Sequence, residues 1–430
     1  MTHPGESVSG PPTGRGGGRD APPLPSRRRS IRLALGGAAI AALALIWLAA
    51  ARPPSPAELD RLLQLAQDAH RAGRHDRAEA LLDRVASSRE PTPLDRLLRA
   101  QVQLATDRPE QARDQLARIP DDHPIAPISR LLLGQVEMRL GRVPEAERSF
   151  LAAVRLQPRH VQAHRELSFI YSIQRRLREL DEQLAALASL GELPPSYVLH
   201  WSKIRNVNWN YEKDLDNLRR FLAGDPGDRH SRLTLAEAIR RSGDLNEAGR
   251  ILTPLPPTDP DAAALRAGMA IEGGDLTRAE EMIARAPADH PAVARVRGEI
   301  ELIRGDPEAA LPHLRAAEQN DPTDRLVNFH LGRALTMLGR AEEAAPYLDR
   351  VRRNDALGQL ISRASTLPDL DDPDLCVEIG RACLSLGRSL EARAWFDTAL
   401  SVDPFHDEAQ ESIARIEAGS PGLSSPLDAS

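Results

Sequence analysis

A small residue returns at a near-constant interval along most of this 430-residue chain, and no other feature constrains the fold as strongly. The anchors are Ala78, Ala112, Ala146, Leu180, Asp214, Ala248, Ala279, Ala310, Ala344 and Ala392, separated by 34, 34, 34, 34, 34, 31, 31, 34 and 48 residues. Only Leu180 and Asp214 are not small. A fixed period of this length means one supersecondary unit repeated, each burying its apolar face against the next. Twelve residues before most anchors stands a second small residue: Ala66, Ala100, Gly134, Ser168, Ala236, Ala267, Gly298, Gly332 and Gly380. Five before several stands a glycine: Gly73, Gly141, Gly243, Gly274, Gly305, Gly339 and Gly387. Twelve after several stands a proline: Pro158, Pro226, Pro322 and Pro404.

Each position has a physical job in a helical hairpin. The first small residue lets helix A approach helix B. The glycine closes the turn between them, where positive φ is wanted. The anchor, early in helix B, packs on helix A, and a large apolar residue four later (Leu82, Leu116, Phe150, Leu184, Leu252, Leu314, Leu348, Phe396) fills the core. The proline ends helix B. The composition agrees: 41% hydrophobic but only 3% aromatic suits a chain packed through Ala, Leu and Gly.

Over residues 59–404 the pattern resembles the tetratricopeptide repeat (TPR) family, best at 127–160, 291–324, 325–358 and 373–406. The resemblance implies an all-α fold, a right-handed superhelical solenoid of about ten helix-turn-helix hairpins with a concave groove. Nine hairpins are expected over 59–354, a helical insertion over 355–372, the tenth over 373–406, and a capping helix over 407–417. Residues 418–430 are expected to be a disordered tail. The insertion follows from the 48-residue interval, and Ala356 to Ser365 reads as a short helix of its own.

Ahead of the repeats lies a Pro/Gly/Arg-rich stretch, 1–32, expected to be disordered. Leu33 to Ala51 then runs 19 residues without a charge. At about 1.5 Å per residue that run spans roughly a hydrocarbon core. Arg27, Arg28, Arg29 and Arg32 precede it, and Arg52 opens a linker over 52–58. The positive-inside rule gives a single-pass inner-membrane protein, N-terminus cytoplasmic, repeats extracytoplasmic. The competing reading is a cleaved signal peptide with Ala49 and Ala51 at the cleavage site.

The net charge is −6, and residues 1–52 carry seven arginines against Glu6 and Asp20, so the rest carries −11. An acidic folded body without a basic stripe argues against nucleic-acid binding. Cys376 and Cys383 are seven apart on one expected helix, too far for a disulfide, and read as core residues. No phosphate loop, nucleophile elbow or zincin motif occurs. His160 and His164 lack a third ligand nearby. The expectation is no enzyme, no cofactor and no metal.

The resemblance places the groove on the A helices, implying Gln135, Arg139, Arg165, Phe169, His200, Lys203, Arg240, Arg241, Phe329, His330 and Arg333 as lining. The fifth hairpin, 195–228, departs from the pattern: Asp214 replaces the small anchor and Trp209 the turn glycine. It holds Tyr197, Trp201, Trp209 and Tyr211, both lysines of the chain, and Asn206, Asn208, Asn210 and Asn217. Two readings stand: a recognition patch, or larger side chains compensating a poor hairpin core, with Trp201 at a core position. The candidate partner-binding residues are His200, Lys203, Asn206, Trp209, Tyr211, Phe329, His330 and Arg333. The functional expectation is a protein-interaction scaffold, possible roles being assembly or maturation of an envelope complex. The alternatives are a substrate-handling subunit of a polysaccharide or peptide biosynthesis or secretion system, and a non-catalytic regulator of an enzyme.

Overall fold

A computed structural model describes residues 54–206, 212–367 and 370–419. The chain divides into two compact units, 1–64 and 65–430, and the contacts below lie within the second. The described residues are all-helical. The helices are α1 (Pro56–Arg71), α2 (His75–Ala86), α3 (Pro93–Ala105), α4 (Pro109–Ala117), α5 (Ala126–Arg139), α6 (Val143–Leu156) and α7 (Val161–Ile173). They continue as α8 (Leu177–Ser189), α9 (Pro195–Asn206), α10 (Glu212–Gly224), α11 (Arg229–Arg241), α12 (Leu245–Leu252), α13 (Pro260–Glu272) and α14 (Leu276–Ile283). The last are α15 (Pro291–Arg304), α16 (Pro307–Asn320), α17 (Arg325–Met337), α18 (Ala341–Ala364), α19 (Pro373–Ser385), α20 (Ser389–Val402) and α21 (Asp407–Gly419).

The repeat positions do what their chemistry demands. Gly73, Gly141, Gly243, Gly274, Gly305, Gly339 and Gly387 all have φ between +70° and +95°. In the second and fourth hairpins the same left-handed position falls to Asp107 (φ +57°) and Arg175 (φ +53°). Anchors Ala78, Ala112, Ala146, Ala248, Ala279, Ala310, Ala344 and Ala392 are buried. A Cβ at Gly134 would lie 2.4 Å from the Phe150 ring, and one at Gly380 2.5 Å from the Phe396 ring. Glycine there makes room for the large residue of helix B. Cys376 and Cys383 are both free thiols in the core.

Adjacent hairpins are also linked by charge. Arg108 pairs with Glu79 through two hydrogen bonds of 2.7 and 2.6 Å, and Arg142 reaches Glu110 at 3.2 Å. Arg176 meets Glu147 at 2.6 Å. These arginines follow the repeat because each lies just past a turn, beside the preceding helix B.

The fifth pair departs from a hairpin, and its departure explains the insertion. Helix α9 keeps its place on the fourth hairpin: the Trp201 indole N–H donates to Asp181 at 2.7 Å, and Arg175 donates to the Ile204 carbonyl at 2.7 Å. Its other face packs on α18 and α20 rather than chiefly on α10. Helix α10 instead packs on α11 and α7. Its Gly224 abuts the α5–α6 turn so closely that a Cβ there would lie 2.4 Å from the Leu140 carbonyl oxygen.

The insertion forms no separate short helix. It prolongs α18 into a continuous 24-residue helix. Leu357 and Ile361 on that extension share one apolar core with Val198, Trp201 and Ile204 of α9. Gly358 lets the end of α9 come close, since a Cβ there would stand 2.9 Å from the Asn206 carbonyl oxygen. The two breaks in the repeat pattern are thus the two sides of one contact.

The expected single-pass membrane placement is corrected. Among the described residues no helix is long and apolar enough to cross a membrane. The apolar run 33–51 on which that placement rested lies outside the described residues, as do the tail 1–32 and residues 420–430.

Candidate functional site

Two places gather the residues singled out from the sequence. The first is the junction of α9 with α18 and α20. Here Ser202, fully buried, donates its hydroxyl hydrogen to Glu391 and accepts the Trp395 indole N–H at 2.8 Å. The Arg388 guanidinium donates to Asn206 Oδ1 at 2.7 Å and Asn354 Oδ1 at 3.0 Å, and lies 3.8 Å from Glu391. Asp181 takes Arg205 as well as Trp201. Burial pushes the Asp181 carboxyl up, and Arg205 opposes it.

A cleft of about 390 Å³ opens beside this network, lined by Asp181, Trp201, Arg205, Arg388 and Glu391 among others. Its charges are already satisfied in pairs, which is how a packing junction holds buried ions. Asn206 therefore spends its side chain inside the fold. His200 sits in hydrogen-bond contact with Ser172 at 2.7 Å, and burial pulls its pKa down. Lys203 is half-buried. Trp209 and Tyr211 lie outside the described residues.

The second place is the face shared by α15 and α17, which pack side by side. Leu326, Phe329 and Met337 recur on one face of α17, with Arg333 between them; such spacing aligns side chains along a helix. All three apolar residues are exposed, at 41%, 41% and 46%, as is Ile303 of α15 at 43%. Four large apolar side chains this open on two neighbouring helices form a patch rather than scattered surface residues.

His330 lies beneath this face. It is 5% exposed, and neither ring nitrogen has a hydrogen-bond partner. Phe329 packs against it edge-on, ring centres 5.6 Å apart. Burial, then Arg295 and Arg333, bring its pKa down to about 4, so the ring is neutral at pH 7. A neutral imidazole carries one donor and one acceptor. Arg333 is exposed with no ion pair among the described residues, whereas Arg295 meets Glu299 at 3.4 Å.

Sequence reasoning singled out Phe329, His330 and Arg333 but passed over Leu326, Met337 and Ile303. The missed signal was periodic: 292, 295, 299 and 303 on α15 stand 34 residues before 326, 329, 333 and 337. Large apolar residues at surface positions of that register mark the stripe. No group of three or more His, Cys, Asp or Glu among the described residues is placed to hold a metal.

Family models described as tetratricopeptide repeat match residues 61–84, 97–161, 131–194, 270–325, 301–364 and 373–406, together more than half of the chain. These matches leave 195–269 uncovered, the stretch that begins with α9. No curated protein matches the chain. Among solved structures, the APC/C hetero-tetramer Cut9–Hcn1 shares 15% identity over 86% of this chain and 98% of that one, TM-score 0.33. A tetratricopeptide repeat protein from Parabacteroides merdae shares 17% over 56% and 98%, TM-score 0.31. The P58(IPK) TPR domain shares 16% over 84% and 98%, TM-score 0.28.

Proposed function

The chain belongs to the tetratricopeptide repeat family, and from that premise we propose that it is a scaffold that docks a segment of another protein on the α15–α17 face and works by binding rather than catalysis. The observation that carries this reading is the exposed stripe of Ile303, Leu326, Phe329 and Met337. Burying apolar surface is the main source of affinity in such contacts, and aromatic anchors dominate it. Arg333 beside the stripe supplies an unpaired charge, and His330 beneath it a hydrogen-bonding ring without a protein partner. The docked segment therefore offers apolar residues and a polar or acidic group.

A photo-crosslinking residue at position 329, introduced in the cell of origin, tests this. One partner should be captured in fixed stoichiometry. Leu326→Asp with Met337→Asp should remove that capture while leaving the helical circular dichroism unchanged. Capture that persists in the double variant would refute the site, and a heterogeneous smear would replace a folded partner with a chain-like substrate.

A further inference from the structure

Nine residues before five of the ten anchors, the chain places Gln103, Glu137, Tyr171, Leu335 and Cys383, all buried; Ala69 and Ile239 hold the same register buried, and Arg205, Ala270 and Glu301 hold it half-buried. Leu335 and Cys383 show that the position belongs to the core. Tyr171 donates to Glu147 at 3.0 Å, and Gln103 donates to Gln111 at 3.4 Å while its own Oε1 has no partner. Glu137 is the one carboxyl of the five. It is 6% exposed, and its Oε2 has no hydrogen-bond partner. The nearest cation, Arg142, stands 3.9 Å away, beyond hydrogen-bond reach, with both terminal nitrogens engaged by Glu110.

Glu137 lines a cleft of about 280 Å³ with Asp121, Arg130, Glu145, Arg148 and Ser149. The other charges in this cleft are closed pairs: Arg130 with Asp121 at 2.6 Å, and Arg148 with Glu145 at 2.7 Å. One carboxyl is left over. Burial raises its pKa to about 7; Arg113 and Arg148 oppose the rise, and Glu145 and Glu110 reinforce it. A buried carboxylate whose only ion pair is a long one, with no hydrogen bond to Oε2, is costly, and a cation entering the cleft reduces that cost. The volume falls below that of drug-sized pockets and matches a side-chain-sized group.

We propose that the Glu137 cleft is a receptor for one organic cation, the guanidinium group of an arginine side chain presented by a protein partner. The inference rests on the scaffold reading only in drawing that cation from a protein. Entry of the cation favours the ionised carboxylate, so the proton Glu137 holds passes to the buffer.

Calorimetry on the full chain at pH 7, in two buffers of different ionisation enthalpy, tests this. The probes are N-acetyl-argininamide, the peptide acetyl-Ala-Arg-Ala-amide, butylamine, and the neutral isostere N-acetyl-citrullinamide. Both arginine probes should bind and release a fraction of a proton, because burial raises the Glu137 pKa to about 7. The citrulline probe should bind at least about ten-fold more weakly. Glu137→Gln should abolish binding and proton release together. Glu137→Leu, which copies the leucine that fills the same register at Leu335, should do the same with the fold intact by circular dichroism.

No saturable heat from either arginine probe up to about 10 mM would overturn the proposal. So would binding that Glu137→Gln leaves intact, or equal binding of citrulline. Butylamine binding more tightly than the arginine peptide would overturn the assignment to a guanidinium. Failure of the α15–α17 face is read separately, from the crosslinking at 329.

Discussion

Replacing Ser202 with alanine removes one oxygen from the contact between α9 and α20, and two buried groups lose their partner together. The Trp395 indole N–H, 2.8 Å away on a fully buried ring, is left without an acceptor. An unsatisfied buried donor costs about 1–3 kcal/mol. Glu391, 2% exposed, loses the hydroxyl that donates to it and keeps the Cys383 thiol and Arg388, the latter at 3.8 Å. A hydrogen bond to a charged group contributes about 1.5–3 kcal/mol. Together these come to about 2.5–6 kcal/mol, with a ceiling: once the cost exceeds the free energy that docks α9, the helix lifts and water satisfies both groups. Hydrogen exchange by mass spectrometry on the full chain reads this directly. Amides of 195–206 and of the start of α20 should exchange at least about ten-fold faster in Ser202→Ala. Those of α15 and α17 should not change. A variant with unchanged protection at 195–206 and an unchanged urea midpoint would refute the reasoning. Equal loosening of α15 would show that the contact governs the whole array.

Gly358→Ala and Gly268→Ala form a matched pair. Both sit inside helices, where alanine is favoured by about 1 kcal/mol. Nothing lies within 4 Å of a Cβ at Gly268, so that variant should gain this amount in urea unfolding; at Gly358 the Asn206 carbonyl at 2.9 Å should cancel or reverse the gain. His330→Leu removes an unpartnered buried ring and should stabilise the free protein by about 1–2 kcal/mol at pH 7 while weakening partner capture. Its pKa, down at about 4 in the fold against 6.5, means the unfolded chain binds more protons between those values. Wild-type stability therefore falls as pH drops through that window, and the leucine variant should lose that part of the slope in pH-dependent thermal melts. Asp107→Gly relieves a non-glycine residue at φ +57° and should raise the urea midpoint by about 0.5–1 kcal/mol equivalent, since the exposed Arg139 partner contributes little. Arg175→Gly should gain less or lose, because Arg175 also holds the Ile204 carbonyl.

The hairpin unit was legible residue by residue because its determinants are local. Seven turn glycines, predicted from spacing alone, all take positive φ, and Gly134 and Gly380 stand against the two phenylalanines predicted to need the space. Both irregularities were legible as well, one at Asp214 and Trp209 and one in the 48-residue interval. That they meet was not. Ser202 and Glu391 are 189 residues apart, and no periodicity links positions in different parts of an array. The aromatic richness near 200 had two readings, and of its described members Trp201 is core at 2% exposure while Tyr197 is exposed at 36%. Glu137 escaped notice for a related reason. One acid at a core register looks like any helical glutamate until the burial of its neighbours is known.

Arrays whose units touch only their neighbours can gain or lose a unit by recombination, since every junction resembles the next. The clasp between α9 and the α18–α20 region withdraws that freedom. The intervening helices must return Gly358 to the carbonyl of Asn206 and Arg388 to its side chain. Deleting a single hairpin between 229 and 340 would shift both by a whole unit and leave Glu391 facing no hydroxyl. This lineage should therefore vary in the surfaces of those hairpins and hold their number constant.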